Sequence, residues 1–257
     1  MPALHIVLLA AGKGTRMKSA TPKVLHPACG LPLIEHVLRT ADPLSPETVV
    51  VIVGHEAEHV RGRLAHRPAL AFAVQEPQLG TGHALLQAET ALAGRSGTVV
   101  VLSGDVPLLR SETLDRLVEA HHSHRAAATV LTAAVADPTG YGRIVRDNGR
   151  IAAIVEHRDA SAEVRAINEI NSGIYAFDLA LLFEALRGIG SENAQGEYYL
   201  PDLIRTYRDR GLVVETVRLD DATEIMGVNT RRELAFVAAR LRDRKNDELM
   251  TSGVGGM

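Results

Sequence analysis

Tryptophan is absent from this chain of 257 residues, phenylalanine occurs four times and tyrosine five. A nucleobase held by such a chain is expected to be read by hydrogen bonds rather than by an aromatic stack. There is one cysteine, Cys29. It excludes an intrachain disulfide, fits a reducing compartment, and reads as a small buried thiol rather than a nucleophile. No charged start followed by an apolar signal core is present, and no apolar run approaches membrane-spanning length. These absences point to a cytoplasmic protein. The formal net charge is only −3, so nothing suggests a general nucleic-acid or membrane binder. Neither an internal repeat nor a low-complexity tract is visible.

What is present is an ordinary globular composition, 46% hydrophobic and 23% charged. In the first half, short apolar runs alternate with helical patterns. Strands are predicted at 6–9, 49–53, 71–74 and 99–102, and helices at 34–40, 56–64, 84–92 and from Ser111, as N-cap, to about His121. Alternation of this kind specifies βαβ units and a mostly parallel sheet. The second half is less regular. Asn148-Gly149 predicts a hairpin between 144–146 and 151–155, and 127–135, 170–177 and 213–219 read as strands. Asp178 caps a helix to Leu186, Pro201 opens another to about Arg210, and a charged helix runs from Arg231 to about Leu249. The last residues, from Thr251, carry no packing signal.

The stretch Leu8 to Met17, L-L-A-A-G-K-G-T-R-M, ends the first strand in a small-residue, basic loop. Two glycines one residue apart permit backbone angles and close approaches that a Cβ would block. Such a loop suits a polyphosphate held by main-chain N–H groups. It is neither a Walker A loop nor a dinucleotide fingerprint, because the required glycine spacings are missing. Pro22-Lys23-Val24-Leu25 adds a lysine in a proline-fixed context. Two further polar loops leave strand ends, Gln75 to His83 and Ser103 to Asp105, and ligands in such sheets sit at the carboxyl ends of strands.

Asp105 follows a buried strand and is the sharpest metal candidate, since Mg²⁺ is commonly shared between one or two carboxylates and substrate phosphates. Asn229 could add an oxygen ligand, or simply cap the helix that follows. Arg16 and Lys23 are the candidate cations for neutralising phosphate charge. Lys13 reads as solvent-facing. Gln75 offers a donor and an acceptor, which match a uracil edge, or is a plain polar loop residue. His121, His122 and His124 end a helix with no partner pattern for a metal.

L-A-A-G-K-G-T-R-M followed by P-K-V-L-H resembles the sugar-nucleotide pyrophosphorylases, nucleotidyltransferases of a Rossmann-like (GT-A-like) α/β fold with a mostly parallel mixed sheet and helices on both faces. The later motifs Y-G-R-I at 141–144, V-E-H at 155–157, E-I-N-S-G-I-Y at 169–175, N-A-Q-G-E-Y-Y-L at 193–200 and G-V-N at 227–229 narrow the resemblance. They are similar to the uridylyltransferase domain of the bacterial bifunctional enzymes that make UDP-N-acetylglucosamine, over nearly the whole chain. Ser103 and Ser172 are mild departures from that pattern.

The resemblance implies transfer of UMP from UTP to N-acetylglucosamine 1-phosphate with Mg²⁺. It places Leu9, Ala10, Ala11 and Gly12 along the nucleotide, Arg16 and Lys23 at the phosphates, and Gln75, Gly80 and Thr81 at uracil. Ser103 and Gly104 would lie by the ribose and sugar, Asp105 and Asn229 at the metal, and Gly142, Glu156 and Asn171 at the N-acetylglucosamine moiety. It divides the chain into a nucleotidyltransferase domain, 1–230, and a linker helix, 231–257. The hexapeptide-repeat β-helix of the family is not in this sequence, so acetyltransfer and β-helix trimers are not expected, and a monomer or weak oligomer is. Rival readings are a nucleotidyltransferase for another sugar phosphate, and a non-catalytic sensor of UDP-sugars.

Overall fold

The computed structural model describes residues 2–12 and 14–253. Lys13 therefore lies outside the described residues, as does the end of the chain beyond Gly253. In chain order the elements are β1 (Leu4–Leu9), a small hairpin of β2 (Pro27–Ala28) and β3 (Leu31–Pro32), α1 (Leu33–Ala41), β4 (Thr48–Val53), α2 (Ala57–Arg63), β5 (Leu70–Val74), α3 (Thr81–Leu86), β6 (Thr98–Ser103) and α4 (Ser111–Ser123). The second half adds β7 (Ala128–Ala134), β8 (Arg143–Asp147), β9 (Arg150–Val155), α5 (Ala162–Arg165), β10 (Glu169–Asp178), α6 (Leu179–Arg187), α7 (Asp202–Asp209), β11 (Val214–Leu219) and α8 (Arg231–Thr251).

The main sheet runs β11-β7-β10-β6-β1-β4-β5, with the β8–β9 hairpin attached to β10. Along that path β1 pairs parallel with both β4 and β6, β4 with β5, and β7 with β11. β10 alone runs antiparallel, to β6 and to β7. The uninterrupted β-branched runs follow from this. Val7, Val50, Ile52, Val99 and Val101 face α3, α6 and α7 on one side. Ile6, Leu8, Val51, Val53, Val100 and Leu102 face α1, α2 and α4 on the other. A strand covered on both faces has no polar side to present, so alternation disappears from its sequence.

The reversed direction of β10 positions the site. The parallel strands β1, β5 and β6 deliver their C-terminal loops to one edge of the sheet. An antiparallel neighbour brings its N-terminal end, Glu169 to Gly173, to that same edge. A third apolar cluster, Met17, Ala28, Leu33, Leu108, Val228 and Val237, seats α8 against the body.

Most predicted elements stand, with shifted ends. The Asn148-Gly149 turn has φ of 48° and 79°, the primed geometry that matches strand twist, and Asp178 caps α6 through Ala180 N–H. Four expectations change. α3 begins at Thr81 rather than Ala84, because Gly80 at φ 103° turns the chain directly into it, and it ends at Leu86, with Thr90–Leu92 a separate 3₁₀ turn. Ser111 is no cap; it is the first residue of α4 and its hydroxyl donates to Thr40 O at 2.8 Å. α8 continues to Thr251 rather than stopping at Leu249. Cys29 is exposed in a tight turn at φ 47°, its Sγ donating to Ala238 O.

Candidate active site

The loop after β1 is tied down from three sides. Ala10 N–H donates to Ile52 O at 2.9 Å, Gly104 N–H donates to Leu9 O at 2.9 Å, and the Gln78 amide donates to Ala11 O. The amide of Ala10 is therefore engaged within the sheet. Gly14 has φ +59°, and a Cβ there would stand 2.6 Å from Lys23 Cβ. Only glycine lets the loop pass that close to the 3₁₀ turn Lys23–Leu25.

Lys23 carries the centre of the site. Its ammonium pairs with Asp105 Oδ2 and donates to Asn229 Oδ1 at 3.2 Å. Arg16 Nη2 donates to the same Asn229 oxygen at 3.0 Å. Residues 82 and 206 positions apart from Lys23 meet there. Val228 N–H donates to Asp105 O at 2.9 Å and fixes the approach of the Asn229 segment. The two uses of Asn229 left open by the sequence are separated by the structure. Thr230 is the cap of α8, in a capping box with Glu233, and Glu233 Oε2 also accepts from Asn229 N–H at 2.7 Å. The Asn229 side chain is left for the cationic centre.

A cleft of about 420 Å³ opens over this centre, lined by Leu9, Ala10, Ala11, Gly12, Lys23, Gln75, Gly80, Thr81, Ser103 and Asp105. A second cavity of about 200 Å³ shares Leu9, Thr81 and Ser103 with it and continues to Gly142, Glu156 and Asn171. Of the residues singled out in the sequence, Arg16 and Asn229 reach the cleft through the Lys23 cluster. Gly104 lines neither cavity and acts as packing. A Cβ there would stand 3.2 Å from Val24 Cγ1 and 3.4 Å from Leu9 O.

Gln75 is 5% exposed, and its Nε2 donates to Gly80 O at 2.9 Å, with His83 Nδ1 at 3.2 Å. The Gly80 carbonyl can only accept, which fixes the amide and leaves Oε1 as its acceptor. In the second cavity, burial pushes the Glu156 carboxyl above its usual range, helped by the negative charges of Asp159 and Asp202 and opposed by Arg143. At Gly142 an added Cβ would stand 3.0 Å from Glu156 Oε1 and 3.1 Å from Ile154 Cγ2, so a side chain there would press on the Glu156 carboxylate. Burial likewise raises the Tyr141 phenol, with Glu233 and Asp105 adding to it.

Gln78, Glu197, Tyr141 and Tyr175 also line these cavities. All four stand in loops or motifs that the sequence singles out, but sequence reasoning attaches no role to them. Gln78 has one local signal, its place three residues after Gln75 on the same loop.

The fit to Mg²⁺ rests on the donor set. The Asp105 carboxylate and the Asn229 amide oxygen converge on one positive charge, the Lys23 ammonium. Two hard oxygens at one cationic position suit an ion that completes its shell with phosphates and water. Among the described residues no group of three or more His, Cys, Asp or Glu could hold a metal, so an ion bound at this position would take no more than these two protein oxygens. His121 and His122 in the last turn of α4, and His124 just after it, have partners within the protein. His121 is buried against Thr129, His122 meets Thr98, and His124 meets Ala120 O. No helix among the described residues is long and apolar enough to cross a membrane.

Comparison with known proteins gives the same picture of the fold. The solved UDP-glucose pyrophosphorylase in complex with UDP-glucose superposes with a TM-score of 0.71 at 19% identity, over 95% of this chain and 100% of that one. The bifunctional protein GlmU of Syntrophotalea carbinolica is 52% identical over 251 residues, and that of Halalkalibacterium halodurans 49% identical over 249. These alignments take in 98% and 96% of this chain but 54% of each relative, so the chain spans about half the length of the curated relatives it matches. The MobA-like NTP transferase domain matches residues 6–170, from the first strand to the sheet edge that carries Asn171. On that match the chain belongs to the family of MobA-like NTP transferases, Rossmann-like α/β nucleotidyltransferases.

Proposed function

We propose that this chain transfers UMP from UTP to N-acetyl-α-D-glucosamine 1-phosphate, giving UDP-N-acetylglucosamine and pyrophosphate. The observation that carries the reading is the Lys23 ammonium set between Asp105 and Asn229, with Arg16 on the same amide oxygen, in a cleft continuous with a second polar cavity. Nucleotidyl transfer asks little covalent chemistry of a protein. It asks for in-line positioning and for neutralisation of charge spread over phosphate oxygens.

In this reading the loop from Leu9 to Gly12 carries the nucleotide, and Gln75, Gly80 and Thr81 read the base. The Gln75 Oε1 accepts from N3–H of uracil, which cytosine lacks. Gly142, Glu156 and Asn171 hold the sugar, with Ser103 between the two halves. A sugar-phosphate oxygen attacks the α-phosphorus. The new P–O bond forms as the bond to the β-phosphate bridging oxygen breaks, and its electron pair leaves with pyrophosphate. The attacking phosphate is already ionised at neutral pH, so no general base is required. Lys23 and Arg16 take up the negative charge that develops on the leaving group. Asp105 and Asn229 would hold Mg²⁺, which supplies Lewis-acid neutralisation of the triphosphate. Residues 1–230 form the catalytic unit in this reading and α8 a linker, and the setting is the cytoplasm, in the supply of activated aminosugar for cell-wall polymers.

The test is a panel of the four common NTPs against N-acetylglucosamine 1-phosphate, glucose 1-phosphate and mannose 1-phosphate, with pyrophosphate release as the readout in Mg²⁺. UTP with N-acetylglucosamine 1-phosphate is expected to give the highest kcat/KM. Preference for another pair, or tight UDP-sugar binding without turnover of any pair, would sink the proposal.

A further inference from the structure

Tyr175 has no part in the reading above, yet it stands against the sugar-side cavity. It is 1% exposed, lines that cavity, and stacks on Phe177 with centroids 5.3 Å apart. Asn171 Nδ2 donates to its hydroxyl at 2.7 Å. In a regular strand, residues four apart are separated by about 13 Å along the chain, beyond the joint reach of these two side chains. The contact exists because β10 breaks register between Asn171 and Tyr175, where Gly173 stands at φ +77°. The bulge draws the two polar ends together at the sheet edge.

The hydrogen atoms can be assigned. Gly173 N–H, which only donates, binds Asn171 Oδ1 at 3.1 Å. That fixes the amide with Nδ2 toward Tyr175, so the phenol oxygen accepts. Its own proton is then unassigned, and among the described residues the hydroxyl makes no other hydrogen bond. The second Asn171 N–H is likewise open, since Nδ2 has no further acceptor among the described residues. Burial raises the Tyr175 phenol far above its ordinary range, so it remains a donor at any working pH. A buried hydroxyl proton without a partner, on the wall of a ligand cavity, is a recognition element awaiting an acceptor.

We infer that Tyr175 is a specificity-determining residue of the sugar pocket, donating its hydroxyl proton, beside the free Asn171 N–H, to the acetamido carbonyl oxygen of the sugar phosphate. This rests on the proposed function. Two convergent donors fit an oxygen that only accepts. They fit a sugar hydroxyl less selectively, because a hydroxyl can find either kind of partner. They oppose the ammonium of an unacetylated aminosugar, which has no lone pair to offer.

The experiment is steady-state kinetics of wild type and Tyr175→Phe with UTP and each of N-acetylglucosamine 1-phosphate and glucose 1-phosphate. Phenylalanine keeps the ring stack on Phe177, and a thermal melt checks that the fold is retained. The expected result is a rise in KM for N-acetylglucosamine 1-phosphate of about tenfold, with KM for UTP and for glucose 1-phosphate within about twofold, so that discrimination between the sugars falls. Unchanged KM for the acetylated sugar overturns the inference. So does an equal rise for both sugars, which would mark a structural role. If wild type turns over neither sugar, the proposed function fails, and calorimetry of N-acetylglucosamine 1-phosphate on both proteins decides the role of Tyr175 by the same tenfold criterion.

Discussion

The two ends of the cleft are built of different material. In the proposed reading the phosphate side of the nucleotide end is walled by main chain and small side chains, Ala10, Ala11 and Gly12, with Gln75 and Gln78 beyond them, and the work of charge falls to Lys23, Asp105 and the exposed Arg16. At the sugar end the walls are side chains, Glu156, Asn171 and Tyr175, drawn from the mixed half of the sheet and held largely out of water. A triphosphate presents the same oxygens whatever base it carries, so backbone and cations suffice. Sugar phosphates differ from one another by the kind and placing of the substituents on the ring. Discriminating them needs donors and acceptors whose orientation is fixed. The comparison therefore predicts that lesions at the first end lower turnover for every sugar, and lesions at the second alter the choice of sugar.

The largest effect is expected at Asp105. In Asp105→Ala the Lys23 ammonium loses its carboxylate partner, and on the proposed function the metal would lose an oxygen ligand. Pyrophosphate release at saturating substrates should fall by about 10³-fold for any accepted sugar phosphate. If instead kcat survives and only the KM for sugar rises, the division between the two ends is wrong.

Gly14→Ala sharpens the same point without replacing a charged group. The added methyl would meet Lys23 Cβ at 2.6 Å, on a backbone with φ +59° that L-residues avoid. Lys23 must move by an appreciable fraction of an ångström, and mispositioning of that size costs roughly 10²-fold in rate. kcat in the pyrophosphate assay should drop, while KM for the sugar phosphate should stay near its wild-type value.

The difference between the ends also decides what can be read from the sequence. The first end announces itself because its requirements are backbone requirements. Glycine and alanine spacing, a β-branched strand before the loop and a proline beside Lys23 are all local, and the order of parallel strands gathers the loops. Burial on both faces makes the strands of that half legible as unbroken apolar runs. The second end depends on one reversed strand and its bulge, and neither has a local signature. Glu156 and Asn171 come from a resemblance to known motifs, while Tyr175 lies within one of those motifs and draws no role from it. The bulge is set by the pairing of β10 with β7, which no window of sequence contains. Local turn chemistry misleads where tertiary contacts compete. Ser111 has the right residue type for a cap, but its hydroxyl is taken by Thr40 O. Cys29 looks like a core thiol, but Gly30 after it makes a turn that leaves it outside.

The smallest effect in rate, and the most specific, belongs to Glu156. Burial and the neighbouring Asp159 and Asp202 hold its folded pKa above the ordinary value of 4.5. The native state therefore binds a proton more tightly than the unfolded chain does. Across the window from 4.5 up to the raised value, stability falls as pH climbs, and above that window the buried carboxylate remains a cost to the fold. Glu156→Gln removes the charge with little change in shape. Its melting temperature should exceed that of wild type at pH 7, and the gap should close as pH is lowered through the window. Its KM for N-acetylglucosamine 1-phosphate should rise by about tenfold, because a sugar hydroxyl then loses a charged acceptor, while KM for UTP is unmoved. Opposite signs in stability and affinity identify a carboxylate kept for its ligand against the interest of the fold. A variant that melts lower and binds sugar normally would instead make Glu156 part of the scaffold, and the sugar end would lose its charged reader.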